Sequence, residues 1–159
     1  MSTQYPSQKD MIILTQYFYP EIAATAQLHT DLAVGLQERG WRVRVFTGQP
    51  AYGRKDRQPR YEVYQGVRIR RFLNPGIPRS STIGRLINAA IVAGLMLFYL
   101  APLRNPGIVL VDSTTPFLPL VAWVLRTLRG WQYVFLVEDV YPDIAIRFGY
   151  IRKGSILAK

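Results

Sequence analysis

Three polar segments follow predicted apolar strands, and each carries side chains that can bind or polarise a substrate. They are residues 16–25, residues 112–116 and residues 138–143. In an open parallel sheet, ligands bind where the strands end and the next helices begin. The three segments are therefore expected to converge on one edge of a sheet and to form a site there.

The acidic residues after the last predicted strand are the sharpest candidates for chemistry. Asp139 stands at the strand end, where a carboxylate can orient a hydroxyl group or stabilise a developing positive charge. The competing interpretation is that Asp139 or Asp143 caps the short helix predicted beyond Pro142. His29, one turn inside a predicted helix, is expected to pack or to be solvated rather than to act in the chemistry.

Small residues open the first predicted helix, at Ala23, Ala24 and Thr25. A helix N-terminus presents free backbone N–H groups and a partial positive charge, so it suits an anionic ligand. Small side chains at this bend would let a substrate approach the backbone.

Several kinds of site are excluded by what the sequence lacks. The 159 residues include no cysteine and one histidine, which excludes disulfides, thiolate metal sites, cysteine nucleophiles and histidine clusters for a metal. There is no Gly-x-Gly-x-x-Gly after the first strand, no Gly-Lys-Ser/Thr phosphate loop and no Gly-x-Ser-x-Gly elbow. The absence of Asp-x-Asp argues against a metal-dependent sugar-nucleotide site.

The formal net charge of +10 is the strongest compositional feature, and much of it lies between Arg39 and Arg85. Such a surface suits a phosphate-bearing partner such as anionic lipid head groups, lipid pyrophosphates or nucleic acid. The alternative is a solvated basic face without a partner. No zinc finger, helix-turn-helix spacing or aromatic RNA-binding motif is present, so nucleic acid ranks low.

Apolar periodicity predicts strands that alternate with helices. Strands are predicted at residues 11–15, 42–47, 61–64, 67–72, 108–111 and 133–137, of which the first and last are expected to be buried. Helices are predicted at residues 25–38, with Leu28, Leu32 and Leu36 at four-residue spacing, and at residues 116–128, with Pro116 in the first turn. This order predicts an α/β fold, a Rossmann-like parallel sheet with helices on both faces.

Residues 86–103 form an almost wholly apolar segment of about eighteen residues, at the edge of transmembrane length. A buried helix covering the sheet is the first interpretation, and a helix with one face at a bilayer surface is the second. A spanning helix is the third, but it would separate strands of one sheet across a membrane. Arg79, Arg85 and Arg104 favour contact with an anionic bilayer, because basic and apolar surfaces bind it together.

The order and spacing of several motifs point to a known family. They are Gln16-Tyr17-Phe18-Tyr19-Pro20-Glu21 through Ala24-Thr25, Leu36-Gln37-Glu38-Arg39-Gly40-Trp41-Arg42-Val43, Tyr61-Glu62, Gly66-Val67-Arg68, Ser113-Thr114-Thr115-Pro116-Phe117 and Glu138-Asp139-Val140-Tyr141-Pro142-Asp143. This pattern resembles the N-terminal domain of family-4 (group 1) retaining glycosyltransferases of GT-B fold. It is most similar to those acting on bacterial surface polysaccharides and lipid-linked sugars.

The resemblance implies two Rossmann-like domains that face a cleft. Residues 11–159, after a disordered stretch at residues 1–10, would be the acceptor-binding N-terminal half. The C-terminal half, which binds the nucleotide-sugar, is absent here, so the chain is expected to be inactive alone. The complete enzyme would transfer a sugar with retention, without a metal or other cofactor, at the cytoplasmic face of the inner membrane.

The resemblance also implies roles for individual residues. Asp139 would be catalytic, by orienting the acceptor or supporting an oxocarbenium-like transition state. The family usually has glycine near Ala23 and often tryptophan at Tyr141. The loop facing the donor phosphate would contain Glu21, Ala23, Ala24 and Thr25. The acceptor would contact Ser113, Thr114, Tyr141 and Asp143. The membrane or another anion would contact Arg79, Arg85 and Arg104.

The sequence leaves two other classes of function open. The first is a non-catalytic basic module that binds a membrane surface, and the weaker second is a nucleic-acid binder. Apolar surface left without a partner domain would also promote self-association.

Overall fold

A computed structural model describes residues 9–50, 57–73, 82–103, 107–115 and 117–138 of the chain. The elements in this part of the chain are β1 (Asp10–Leu14), α1 (Ala24–Glu38), β2 (Arg42–Thr47), β3 (Tyr61–Tyr64), β4 (Val67–Arg71), α2 (Thr82–Leu100), β5 (Ile108–Asp112), α3 (Leu118–Arg129) and β6 (Gln132–Leu136). Their alternation confirms the predicted α/β class.

The described strands form one sheet in the order β3-β4-β2-β1-β5-β6. All neighbours are parallel except β3 and β4, which form the predicted hairpin through Gln65 and Gly66. The direction in which strands are added to the sheet reverses at β1, because β2 pairs with one side of β1 and the later strand β5 pairs with the other. Ligands bind at the carboxyl edge beside such a reversal, so the order locates the candidate site at the end of β1.

Helices cover both faces of the sheet. On one face, Met11, Ile13, Val43 and Val45 pack with Ala33 of α1. On the opposite face, the side chains of α2 and α3 pack against strand residues such as Ile12. Central strands of a parallel sheet are buried on both faces, which explains why β1 is apolar from Met11 to Leu14 rather than alternating.

The first helix begins one residue earlier than predicted, at Ala24, and its buried face differs in part from the predicted one. Leu28 is 52 % exposed, whereas Ala26, His29 and Ala33 are buried. Leu32 and Leu36 of the predicted stripe are partly buried and pack against the core, together with the buried Ala33 that lies beside them in the prediction. The leucine stripe is therefore turned away from the sheet only at Leu28.

The apolar segment forms α2, which begins at Thr82 and ends at Leu100 rather than at the predicted residues 86 and 103. One face is buried against the sheet, with Asn88, Ala89, Val92, Ala93, Met96 and Leu100. The other face exposes an apolar stripe that consists of Ile83, Leu86, Ile87, Ile91, Leu95 and Phe98. By length and composition the segment Ile83–Leu100 of α2 could cross a membrane. In the fold, however, 39 % of this segment is buried.

Two expectations about the last part of the chain are wrong. The helix α3 begins at Leu118, so the proline in its first turn is Pro119 rather than Pro116. The strand predicted at residues 133–137 is β6, and it is not buried: Val134 is 50 % and Phe135 is 45 % exposed. Because β6 pairs only with β5 in the described sheet, it is an edge strand.

Candidate functional site

The carboxyl ends of β1, β5 and β6 meet through side-chain hydrogen bonds, as the strand-end argument predicted. Thr115 Oγ1 donates to Gln16 Oε1 over 3.0 Å and joins the β5 end to the β1 end. The Glu138 backbone N–H donates to Ser113 Oγ over 2.9 Å and joins the β6 end to the β5 end. The described residues of the three polar segments therefore meet at this edge.

His29 lies at this edge, with a fully buried side chain. Its Nδ1 is 2.9 Å from Thr15 Oγ1, and its Nε2 is 2.7 Å from Glu138 Oε1. Asp112 Oδ2 lies further from Nε2, at 3.7 Å. Residues of α1 and β5 and residues just after β1 and β6 thus form one group, called here the His29 cluster: Thr15, His29, Asp112 and Glu138. The first three are buried and Glu138 is partly exposed.

The hydrogen bonds of Thr15 constrain the proton on His29. Thr15 has a single hydroxyl proton and donates it to the Tyr17 carbonyl over 3.1 Å. Its oxygen then accepts from His29 Nδ1–H, which leaves Nε2 facing the Glu138 carboxylate. The two atoms, Nε2 and Oε1, are both buried, although the Glu138 side chain as a whole is partly exposed.

Asp112 is fully buried at the end of β5 and organises the turn after it. Its Oδ1 accepts from the Thr114 backbone N–H over 3.0 Å and from Thr114 Oγ1 over 2.6 Å. Two carboxylates, Asp112 and Glu138, therefore share one imidazole. The described residues include no group of three or more His, Asp and Glu side chains arranged to hold a metal ion.

The loop that follows β1 is held by Arg71, which is 1 % exposed. Arg71 donates from Nη2 to the Tyr19 carbonyl over 2.7 Å and from Nη1 to the Pro59 carbonyl over 3.1 Å. Its Nη1 also lies 2.6 Å from Glu62 Oε2. The Tyr19 ring stacks on Tyr64 at 3.8 Å between centroids, and the Tyr19–Pro20 peptide bond is cis.

Ala23 and Ala24 replace the glycine that the family usually has, and the backbone accommodates them without strain. Ala23 has φ −62° and ψ 143°, an extended conformation open to any residue. Its side chain cannot cap α1, so backbone N–H groups of the first turn stay available to an anion. Thr25 is half-buried and Ala24 exposed, whereas Glu21 is buried at 5 % exposure.

The predicted site residues divide into those the structure brings together and those outside its described part. Ser113 and Thr114 lie at the carboxyl edge beside the His29 cluster, and Glu21, Ala23, Ala24 and Thr25 lie in the loop and first turn before His29. Arg85 is exposed on α2. Asp139, Tyr141, Asp143, Arg79 and Arg104 lie outside the described residues.

Sequence reasoning set aside two residues that organise this edge. His29 was expected only to pack or to be solvated, and the structure shows it packed, with its Nε2 2.7 Å from Glu138 Oε1. Arg71 was counted only among the residues of the basic surface between Arg39 and Arg85, whereas the structure buries it. It occupies the alternating register of Val67 and Ile69, which are buried, and a charge in the buried register of a strand was the signal that could have found it.

A comparison with protein families decides the assignment. The family described as "Glycosyl transferase 4-like domain" matches residues 25–153, most of the chain. The chain belongs to this family. The match agrees with the resemblance seen in the motifs, and it includes His29, Asp112 and Glu138 of the His29 cluster. No curated protein matches the chain.

Solved structures of GT-B glycosyltransferases share the fold of this glycosyl transferase 4-like domain. The sucrose-phosphate synthase of Thermosynechococcus elongatus has a TM-score of 0.63 at 12 % identity, over 96 % of this chain and 37 % of that one. The catalytic domain of starch synthase IV from Arabidopsis thaliana, bound to ADP and acarbose, has a TM-score of 0.64 at 14 % identity. This match covers 84 % of this chain and 34 % of that one.

A third structure is trehalose-phosphate synthase from E. coli, bound with UDP-2-fluoro glucose. It has a TM-score of 0.54 at 13 % identity, over 83 % of this chain and 33 % of that one. The chain therefore spans about a third of the length of the solved structures that it resembles. At these identities the likeness establishes the shared fold.

Proposed function

We propose that this chain is the acceptor-binding half of a metal-independent retaining glycosyltransferase. It would act on a glycan acceptor, carried on a lipid, while a second domain binds the nucleotide-sugar. The observation that carries the proposal is the convergence of β1, β5 and β6 on the His29 cluster, next to the open first turn of α1. Two of the neighbouring structures hold a nucleotide or a nucleotide-sugar analogue, which supports a donor of that class.

The geometry supports a division of labour at this edge. The first-turn N–H groups of α1 suit the donor phosphates, and the hydroxyls of Ser113 and Thr114 suit an acceptor sugar. Asp139 follows Glu138 directly in sequence, and Glu138 is fixed by Ser113 and His29. We assign the role of catalytic carboxylate to Asp139. The His29 cluster would hold the segment of chain that leads to Asp139, and Tyr141 and Asp143 would make further contacts with the acceptor.

The test is sugar transfer by a full-length protein that contains this chain, using a polyprenyl-linked acceptor and a panel of nucleotide-sugars. Asp139→Ala should lower kcat at least about 100-fold, as loss of a transition-state group does, with little change in melting temperature. The matched control is Asp31→Ala, an exposed carboxylate on α1, which should leave kcat unchanged. Retained anomeric configuration, read by NMR, is expected; unchanged turnover in Asp139→Ala would remove the assignment of that residue.

We also propose a peripheral location at an anionic membrane surface on the cytoplasmic side. The exposed stripe of α2 and the basic charge of the chain support it, because interfacial helices combine an apolar face with nearby cations. The same two features would carry the alternative function, a non-catalytic membrane-binding module. Transfer activity in the full-length protein would decide for the enzyme, and lipid binding without any transfer would decide for the module.

A further inference from the structure

A second charged surface lies on the sheet face that carries α2. A groove of about 160 Å³ is lined by residues of β2, β3 and β4 and by the end of α2. None of its lining residues belongs to the His29 cluster. The groove, called here the arginine groove, is lined by Arg44, Tyr61, Arg68, Arg70, Tyr99 and Leu103, together with the strand residues between them.

Three cations of the groove lie close together on one face of the sheet. Arg44 is directly opposite Arg68 in the β2/β4 ladder, and Arg70 follows on the same face. Adjacent strands are about 4.8 Å apart, and like charges directly opposite each other destabilise a sheet. Among the described residues none of the three forms an ion pair, and Asp10, whose charge acts on Arg44, forms its ion pair with Arg42.

Burial increases the need for a counter-charge. The Nε atoms of Arg44 and Arg70 are buried, and neither has a hydrogen-bond partner in the described part of the chain. Desolvation by burial lowers the pKa of the Arg44 guanidinium below its ordinary value. Arg44 and Arg70 are half-buried and Arg68 is exposed, so two of three neighbouring cations are partly desolvated. This arrangement favours a ligand that supplies a negative charge.

Aromatic rings hold Arg70 in place. Its guanidinium carbon lies 3.3 Å from the centroid of the Tyr99 ring and 4.9 Å from that of Tyr61. The Tyr61 hydroxyl also accepts a hydrogen bond from Arg70 Nη1. Stacking fixes the plane of a guanidinium while leaving N–H groups at its edge for an anion, a geometry that suits phosphate.

We propose that the arginine groove binds the phosphate of an anionic phospholipid head group while the apolar stripe of α2 lies in the same bilayer surface. The proposal deepens the membrane location proposed above and is independent of the sugar-transfer assignment. Tyr99, which forms a wall of the groove, follows Phe98, an 84 % exposed member of the stripe. Charge in the groove and apolar area beside it match the two parts of a phospholipid.

A sedimentation assay with vesicles tests the proposal. Neutral phosphatidylcholine vesicles are compared with vesicles that contain phosphatidylglycerol, at low and high salt. The wild-type chain should bind the anionic vesicles at least tenfold more tightly at low salt. Each arginine near an anionic surface contributes about 1 kcal/mol, so Arg68→Gln and Arg44→Gln should each weaken binding about fivefold.

Matched variants separate a built site from net charge. Arg39→Gln removes the same charge from α1, on the opposite face of the sheet, and should weaken binding less than twofold. Phe98→Ala should weaken binding, whereas Leu128→Ala, a 74 % exposed leucine on α3, should not. Equal losses in Arg68→Gln and Arg39→Gln would overturn the proposal, as would binding that ignores lipid charge.

Two further measurements are needed. The first tests whether the groove prefers a lipid head group to a soluble phosphate, and the second separates the lipid-binding proposal from the sugar-transfer proposal. Calorimetry with glycerol phosphate should show much weaker binding than the vesicles; equal affinity for the soluble phosphate would overturn the assignment to a lipid. Sugar transfer to a water-soluble acceptor by the full-length protein should not change in Arg68→Gln. Normal transfer without lipid preference would contradict the lipid site alone, and lipid binding without transfer would contradict the sugar-transfer proposal alone.

Discussion

His29 depends on contacts from four elements, so its contribution to stability is a property of the cluster. Replacing it with phenylalanine would leave Glu138 and Asp112 beside an apolar ring. Breaking a buried pair from one side is costly because the remaining charge stays desolvated. We expect His29→Phe to lower the free energy of unfolding by about 3 kcal/mol, measured by urea denaturation.

A double-mutant cycle isolates this effect. Glu138→Leu combined with His29→Phe removes both partners, so the double variant should be more stable than the sum of the single changes by at least about 1 kcal/mol. Leu28→Ala, one position earlier on the exposed side of α1, should cost less than about 0.5 kcal/mol. Additive single effects would contradict the pairing of His29 with Glu138.

At the scale of elements, the turn before β5 requires a residue without a side chain. Gly107 has φ +93°, and a Cβ at this position would lie 2.7 Å from the Asp10 carbonyl oxygen. A side chain would therefore push β5 away from β1, the pair at which the chain order reverses. Gly107→Ala should lower the free energy of unfolding by about 2 kcal/mol, from the backbone strain and the clash.

The matched change is Gly94→Ala in the exposed part of α2. A Cβ there meets no heavy atom within 4 Å, and alanine is favoured over glycine in a helix interior. Gly94→Ala should stabilise the fold by about 0.5 to 1 kcal/mol. Thermal unfolding followed by circular dichroism measures both variants, and a similar loss in each would contradict the close approach at Gly107.

On the scale of the whole molecule, the apolar stripe of α2 leaves a large area without a described partner. Exposed apolar patches of this kind promote association. In lipid-free buffer the chain should therefore self-associate, which sedimentation velocity at rising protein concentration would detect. Ile91→Ser with Phe98→Ser should restore the monomer, whereas Trp123→Ser, on the exposed side of α3, should not.

Local sequence determined the elements and the edge at which the site lies. Strand and helix periodicity is a property of neighbouring residues, so residues 42–47 and 61–64 were predicted with their observed bounds. The meeting of residues 16, 113 and 138 followed from a rule about parallel sheets. The chain's membership of the glycosyl transferase 4-like family was likewise legible in the order of its motifs.

Only the tertiary structure decided which faces are used and which charges meet. It placed His29 rather than Leu28 in the buried face of α1, where His29 meets groups at the ends of β1, β5 and β6. It brought Glu138 to His29 across more than one hundred residues of sequence, and Arg44 opposite Arg68 through strand register. Contacts between distant residues depend on strand order and packing, which local periodicity does not encode.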